Sequence, residues 1–474
     1  MQRNVFLVLG WLIAVPAAHA QPWPPALSTK LAASQVPPEA VGLYVQEIGA
    51  TRPLLSENAD LAMNPASTMK LVTTLAALEL LGPAYTWQTE VYANGPLREG
   101  VLDGDLVIKG GGDPKLTIEN FWLLLKDLRG RGLRDIRGDL VVDRSLFALD
   151  DTDPGRFDNR PTRPYNVPPD ALLLNFKSVR LQFLPDEPSG KVTITAMPDL
   201  PQIRIVNQLS LGKGSCQYWP ENPQADAETA ELVFQGKFPR GCGEKSKNFS
   251  LLTPNEYLQA VFEQTWGELG GGFAGKVRDG ALPDSARLMS TWQSPPVSEV
   301  IRDINKWSNN VMARQLYLTL GLSAGASPAT TASADFAVRG WLQQAGLDVP
   351  ELVLENGSGL SREERISARN LARVLERGWN SPLMPEYLAS LPIPAVDGTL
   401  RRRLKGSDAA GKAHMKSGYL EGVRAVAGYL QDSRGRWLIV VCIVNHKNAI
   451  RAQPFLDAVV DWAWSQGDEG CCMQ

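Results

Sequence analysis

Three short segments hold residue types that could do chemistry together. Ser67-Thr68-Met69-Lys70 offers a hydroxyl and an amine three positions apart. Ser308-Asn309-Asn310 offers a second hydroxyl with an amide, and Lys416-Ser417-Gly418 a cation beside a strand-like run. On a helix, residues three apart share a face, so Ser67 and Lys70 can touch. A serine hydroxyl is a weak nucleophile and needs a base. A lysine can serve if burial and nearby cations lower its pKa from about 10.4 towards neutrality. A helix N-terminus works in the same direction. Ser308 and Asn310 could relay a proton and hold a substrate amide. Lys416 and Ser417 could bind a carboxylate, and the Tyr419 N–H could join that of Ser67 around a developing oxyanion. Gly418 would let a ligand backbone approach closely. The set suits acyl transfer on serine without histidine.

Each segment alone has an ordinary explanation: a capped helix, a turn between helices, a strand edge. Ser210-Leu211-Gly212-Lys213 repeats the first spacing among glycines, with no apolar helix behind it. What carries weight is all three segments in this order. Other chemistries lack their residues. No G-x-S-x-G elbow occurs, since Gly357-Ser358-Gly359 has the wrong spacing. Gly110-Gly111-Gly112-Asp113 lacks the Gly-Lys-Ser/Thr of a phosphate loop. Beyond the first twenty residues only His414 and His446 remain and no C-x-x-C pair is present, so no metal or other cofactor is expected. His414 reads as a packed or site-edge residue. A net charge of −3 makes no case for nucleic acid as a partner.

A chain of 474 residues should hold more than one domain. Val41 to Ile48 alternates as a strand would, and Leu71, Val72, Leu75 and Leu78 recur with helical spacing. The pattern predicts a helix from Ser67, a candidate N-cap, to about Leu81, ended by Gly82-Pro83. From about Val91 the texture changes to short strands punctuated by Gly and Pro, among them 106–108, 139–142, 179–183 and 192–196. From about Ser285 long elements return. Val297 to Gly321 is helical except where two asparagines suggest a break, and Ser367 to Trp379 is a second helix. Strand-like runs at 414–420, 425–430 and 437–444 precede a helix from Pro454 to Trp464, with Asp432-Ser433-Arg434-Gly435 as a hairpin turn. Strands covered by helices indicate an α+β layered fold.

The first twenty residues read as a secretory signal: Arg3, an apolar run from Val5 to Val15, then Ala18-His19-Ala20 before Gln21. The run is too short to span a bilayer comfortably, so no integral membrane anchor is expected. An exporting compartment permits a disulfide between Cys216 and Cys242, and the sequence leaves that pairing open. Cys442 sits in an apolar run and reads as a core residue, while Cys471 and Cys472 receive no role.

With these motifs the sequence resembles the penicillin-binding protein and serine β-lactamase superfamily. It is most similar to the class C low-molecular-mass penicillin-binding proteins, the D-alanyl-D-alanine carboxypeptidase/endopeptidase family. The resemblance spans the mature chain. It includes the long gap between the first two motifs, the Gly-Gly-Gly-Asp-Pro segment, Asn356-Gly357-Ser358-Gly359-Leu360-Ser361-Arg362, and Val396-Asp397-Gly398-Thr399-Leu400 followed by arginines.

It implies a transpeptidase-like domain, an antiparallel sheet flanked by helices, from residues 21–91 and 285–474. Two β-rich domains would be inserted in it, one from 92–178 and 250–284 and one nested at 179–249. It implies an exported, periplasmic serine DD-peptidase acting on peptidoglycan stem peptides and acylated by β-lactams. Ser67 would be the nucleophile and Lys70 the base, with Ser308 and Asn310 assisting. Lys416, Ser417, Gly418 and Tyr419 would line the substrate site, and Asp113 and Arg362 would hold the stem-peptide side chain. The third motif departs from the usual Lys-Thr-Gly: Ser417 lacks a methyl, and Tyr419 replaces the usual Thr. The competing readings are a β-lactamase or esterase, and a non-catalytic wall-binding protein. No carboxylate can be assigned to fast hydrolysis of an acyl-enzyme, and the intact motifs oppose the second.

Overall fold

A computed structural model describes residues 23–149, 153–226 and 229–466. The signal segment, Cys471 and Cys472 lie outside the described residues. Elements are numbered for the body that carries the three motifs; others are given by residue range.

Trp437–Asn445 explains the architecture. All but its end residues are buried, so the strand must be covered on both faces. Ile439, Val441 and Ile443 point into one apolar core, and Leu438, Val440, Cys442 and Val444 into another. This strand, β5, lies inside a five-stranded antiparallel sheet with β1 (Val41–Glu47), β2 (Leu55–Glu57), β3 (Ala413–Leu420) and β4 (Val423–Gln431), in the order β3-β4-β5-β1-β2. One face is covered by α1 (Pro25–Ser34) and α6 (Gln453–Ser465), through Leu27, Leu31, Phe455, Leu456 and Val459. The other is covered by α2 (Lys70–Leu81), α3 (Val297–Trp307), α4 (Asn310–Ser323) and α5 (Ala368–Asn380). The result is a helix–sheet–helix sandwich, the α+β layering read from the sequence.

Between α2 and α3 the chain makes three further sheets, of six, five and four strands. Gln88–Asn94 leaves the body and Arg287–Gln293 returns to it, and these strands pair antiparallel from Gln88↔Gln293 to Ala93↔Arg287. Within this excursion Val179–Asp186 and Lys245–Phe249 likewise pair, at one edge of an open six-stranded sheet. Each excursion thus begins and ends on neighbouring strands, so it can interrupt its host without separating the host's ends. The outer seam lies at 88 and 293, a few residues outside the texture changes at 91 and 285. Arg287–Gln293 is an edge strand with mostly exposed, polar residues, so it carries no apolar alternation to reveal it. Two helices escaped the strand-centred reading, Ile118–Gly130 and Pro254–Glu268; Thr253 and Glu256 form a capping box on the second.

Cys216 and Cys242 form a disulfide. It ties together the chain just beyond two parallel strands, Arg204–Gly212 and Glu231–Pro239. Cys442 is free and buried. Among the described residues no helix is long and apolar enough to cross a membrane.

Candidate active site

Ser67 sits in a 3-10 turn, Ala66–Met69, that runs directly into α2. It is therefore inside the first turn rather than the N-cap expected from the sequence; Pro65 holds that position. The turn is built by close approach. Ala66 takes a left-handed φ of 47°, and Gly359, at φ 77°, passes so near that a Cβ there would lie 1.9 Å from the Ala66 carbonyl oxygen. On the other side Gly418 of β3 leaves room for the Pro65 carbonyl, 2.6 Å from where its Cβ would stand. Gly418 thus serves contact between the strand and the nucleophile turn.

The break expected between α3 and α4 is present. Ser308 adopts a left-handed φ of 57° at the end of α3, and Asn309 restarts the helix by accepting the Met312 N–H. Ser308 and Asn310 thereby project from a corner rather than from one continuous helix. The corner meets the other two motifs. Lys70 Nζ lies 3.2 Å from Ser67 Oγ and 2.6 Å from Asn310 Oδ1, and also contacts the Ser358 carbonyl. Lys416 Nζ donates to Ser308 Oγ at 2.9 Å and to the Ser417 carbonyl at 2.7 Å. Ser417 Oγ is 3.1 Å from Thr399 Oγ1.

Lys70 Nζ has three oxygen partners. As a neutral amine, with two N–H donors and one lone pair, it could give the donors to Asn310 Oδ1 and the Ser358 carbonyl and turn the lone pair to the Ser67 hydroxyl proton. Lys70 is 0% exposed, and burial first, then the positive charges of Lys416 and Arg314, hold its pKa well below the ordinary lysine value. The Glu364 carboxylate acts against them. Lys416, also 0% exposed, is pushed down by burial to about 7.

Two expected site residues lie elsewhere. Asp113 is 2% exposed, and its carboxylate accepts the Lys115 N–H at 2.7 Å. Burial raises its pKa to about 6. Its turn is packed shut, Gly111 against the Gln88 carbonyl and Gly112 against the Phe147 ring, so Asp113 has no open side to offer a peptide. Arg362 does not touch the Ser67 cluster. It stacks on Phe157 at 4.9 Å, donates to the Glu421 carbonyl at 3.0 Å, and lines a cavity of about 570 Å3. Tyr419 is exposed and stacks on Arg424, 3.6 Å from ring centre to guanidinium. The His414 ring is spent on the Leu388 carbonyl at 3.1 Å, and burial lowers its pKa.

The sequence reading missed the acceptors behind Lys70. Glu364 is 0% exposed and accepts the N–H groups of Glu355, Asn356 and Gly357 at 3.3, 3.0 and 2.9 Å. That pins the turn whose Ser358 carbonyl reaches Lys70 and whose Gly357 carbonyl accepts from Thr73 at 2.6 Å. The clustered glycines at 357 and 359 were the available signal of close approach.

The chain is similar to known proteins over most of its length. The chain is 26% identical to the D-alanyl-D-alanine carboxypeptidase DacB of Haemophilus influenzae over 85% of both chains. It is 27% identical to the D-alanyl-D-alanine carboxypeptidase of an Actinomadura species, over 91% of this chain and 83% of that one. The crystal structure of penicillin binding protein 4 from Haemophilus influenzae superposes with a TM-score of 0.76 at 25% identity, covering 92% of this chain and 99% of that one. A predatory peptidoglycan endopeptidase from Bdellovibrio bacteriovorus shares the fold at 15% identity, with a TM-score of 0.52 over 90% of this chain and 92% of its own. The model of the D-Ala-D-Ala carboxypeptidase 3 (S13) family matches residues 25–465, and the chain belongs to that family.

Proposed function

We propose that the chain is a serine DD-peptidase that cleaves the D-alanyl-D-alanine ends, or the D-alanyl cross-links, of peptidoglycan stem peptides. The observation that carries this reading is Lys70 Nζ, buried between Ser67 Oγ and two carbonyl acceptors. As Ser67 Oγ attacks the peptide carbonyl carbon, its proton passes to the Lys70 lone pair and an oxyanion forms, held by the N–H groups of Ser67 and Tyr419. On collapse the C–N bond breaks. The leaving amine takes a proton from Lys70 directly or through Ser308, whose Oγ lies beside Lys416 Nζ. Water then hydrolyses the Ser67 ester by the reverse relay. Asn310 orients Lys70 and the substrate amide, and Lys416 with Ser417 binds the terminal carboxylate. Arg362, beside its cavity, faces the stem-peptide side chain.

A penicillin presents a strained amide and a carboxylate in the same relation, so it acylates Ser67 and leaves slowly. The strand pairings support a division into a discontinuous catalytic domain and two nested β-rich inserts. Residues 1–20 direct export to the periplasm and are removed. Fluorescent penicillin tests the reading. Wild type should be labelled covalently and Ser67→Ala should not; retained labelling of a folded Ser67→Ala protein removes Ser67 from the role. Rapid turnover of a chromogenic cephalosporin would reassign the site to β-lactam hydrolysis.

A further inference from the structure

The usual third motif would supply two threonine hydroxyls along β3, and here one is a serine and the other a tyrosine. Threonine is branched at Cβ and so holds its hydroxyl in few rotamers, whereas serine rotates freely. Tyr419 has its ring drawn onto Arg424.

The structure places another hydroxyl beside Ser417. Thr399 is exposed, and its Oγ1 stands 3.1 Å from Ser417 Oγ. It is held there by a clamp on the buried Lys306. Lys306, at the end of α3, donates to Asp397 Oδ2 at 2.6 Å and to the Leu391 carbonyl at 2.6 Å. Asp397 Oδ1 accepts the Ile393 N–H at 2.8 Å, closing the loop on itself. Gly398, at φ 57°, lets the loop backbone press on the end of α3: a Cβ there would lie 2.6 Å from the Lys306 carbonyl oxygen. Lys306 precedes Ser308 by two residues. The clamp therefore fixes Thr399 relative to the same corner that carries Ser308. The outcome is a run of donors, Ser308 Oγ with Lys416 Nζ and Ser417 Oγ with Thr399 Oγ1. A carboxylate has two oxygens and about four lone-pair sites, enough to use them all.

We propose that Thr399 is a substrate-binding residue of the carboxylate subsite, standing beside Ser417 Oγ and turning its one O–H from that hydroxyl to the same free carboxylate when a substrate arrives, and that Lys306 and Asp397 are the positioning residues that hold it there. The inference rests on the serine DD-peptidase reading and deepens it: the substrate class is peptides, or β-lactams, with an unmodified carboxylate.

The test compares acylation by a penicillin with acylation by its methyl ester, read by mass spectrometry of the Ser67 adduct. Thr399→Val keeps shape and removes the hydroxyl. It should slow acylation by the acid about tenfold, the size of one hydrogen bond to a charged group, and leave the ester within about twofold. Thr399→Ser should restore most of the rate. Asp397→Asn should reproduce the selective loss. Adding Ser417→Thr to Thr399→Val should recover part of it, because the branched side chain fixes its own rotamer. Equal losses on acid and ester, or no loss on either, overturn the proposal while leaving the enzyme reading intact. A wild-type protein that neither compound acylates overturns both.

Discussion

Replacing Lys416 by methionine should make this protein more stable and unable to bind a carboxylate. Lys416 is fully buried, and its pKa falls from 10.5 to about 7. At about 1.36 kcal/mol per unit, holding its charge in the folded state costs roughly 5 kcal/mol. Methionine has a similar unbranched stem and no charge. The substitution also removes the hydrogen bonds to Ser308 Oγ and the Ser417 carbonyl, each worth about 1 kcal/mol. The net gain below pH 7 is therefore about 3 kcal/mol.

The pH dependence follows from the direction of the shift. Below pH 7 the lysine is protonated in both folded and unfolded chains, and the full cost is present. Between about 7 and 10.5 the folded lysine is neutral while the unfolded one still binds its proton, so wild-type stability climbs with pH. The advantage of Lys416→Met should shrink over that range and vanish at about pH 9, where the remaining cost equals the two lost hydrogen bonds. Calorimetric unfolding of both proteins at pH 6, 7.5 and 9 measures the gap, and fluorescent penicillin confirms the lost binding. A variant less stable than wild type at pH 6, or a gap independent of pH, would refute the reasoning.

Two other perturbations probe the nucleophile's surroundings. Glu364→Gln removes the one carboxylate that raises the Lys70 pKa, so the acid limb of the penicillin acylation profile should move to lower pH, by up to about one unit; a move to higher pH contradicts it. Gly359→Ala would drive a methyl group into the Ala66 carbonyl from a left-handed backbone. Displacing Ser67 by about 1 Å should cost at least about a hundredfold in acylation rate, and wild-type rates in that variant would show that the turn does not need the close approach.

The parts legible in the sequence are those written in residue type. The apolar spacing of α2, the double asparagine at the corner and the apolar run of β5 each have one natural local structure. The illegible parts are written in backbone or in distance. Ser358 contributes a carbonyl, which every residue owns, so nothing in its identity announces contact with Lys70. Glu364 binds three N–H groups from a turn seven or more residues upstream, and the sequence shows only one more acidic residue among others. Thr399 was visible as part of a motif string, but its nearness to Ser417 depends on an ion pair between α3 and a loop some ninety positions away. Asp113 shows the opposite error: matching a motif supplied a position without its packing, and burial closes that position to substrate.

The central sheet has a consequence for the order in which a growing chain becomes competent. Its first strand, β1, hydrogen-bonds β5 along the whole length from Val41↔Val444 to Glu47↔Leu438, and the amine beside Ser308 arrives only with β3. As the exported polymer emerges from its N-terminal side, the interior excursion from 88 to 293 can close on its own paired ends while the sheet that hosts it still waits for its later half. A nascent chain with Ser67 already exposed is thus chemically inert. The nucleophile is armed only when the last strands dock.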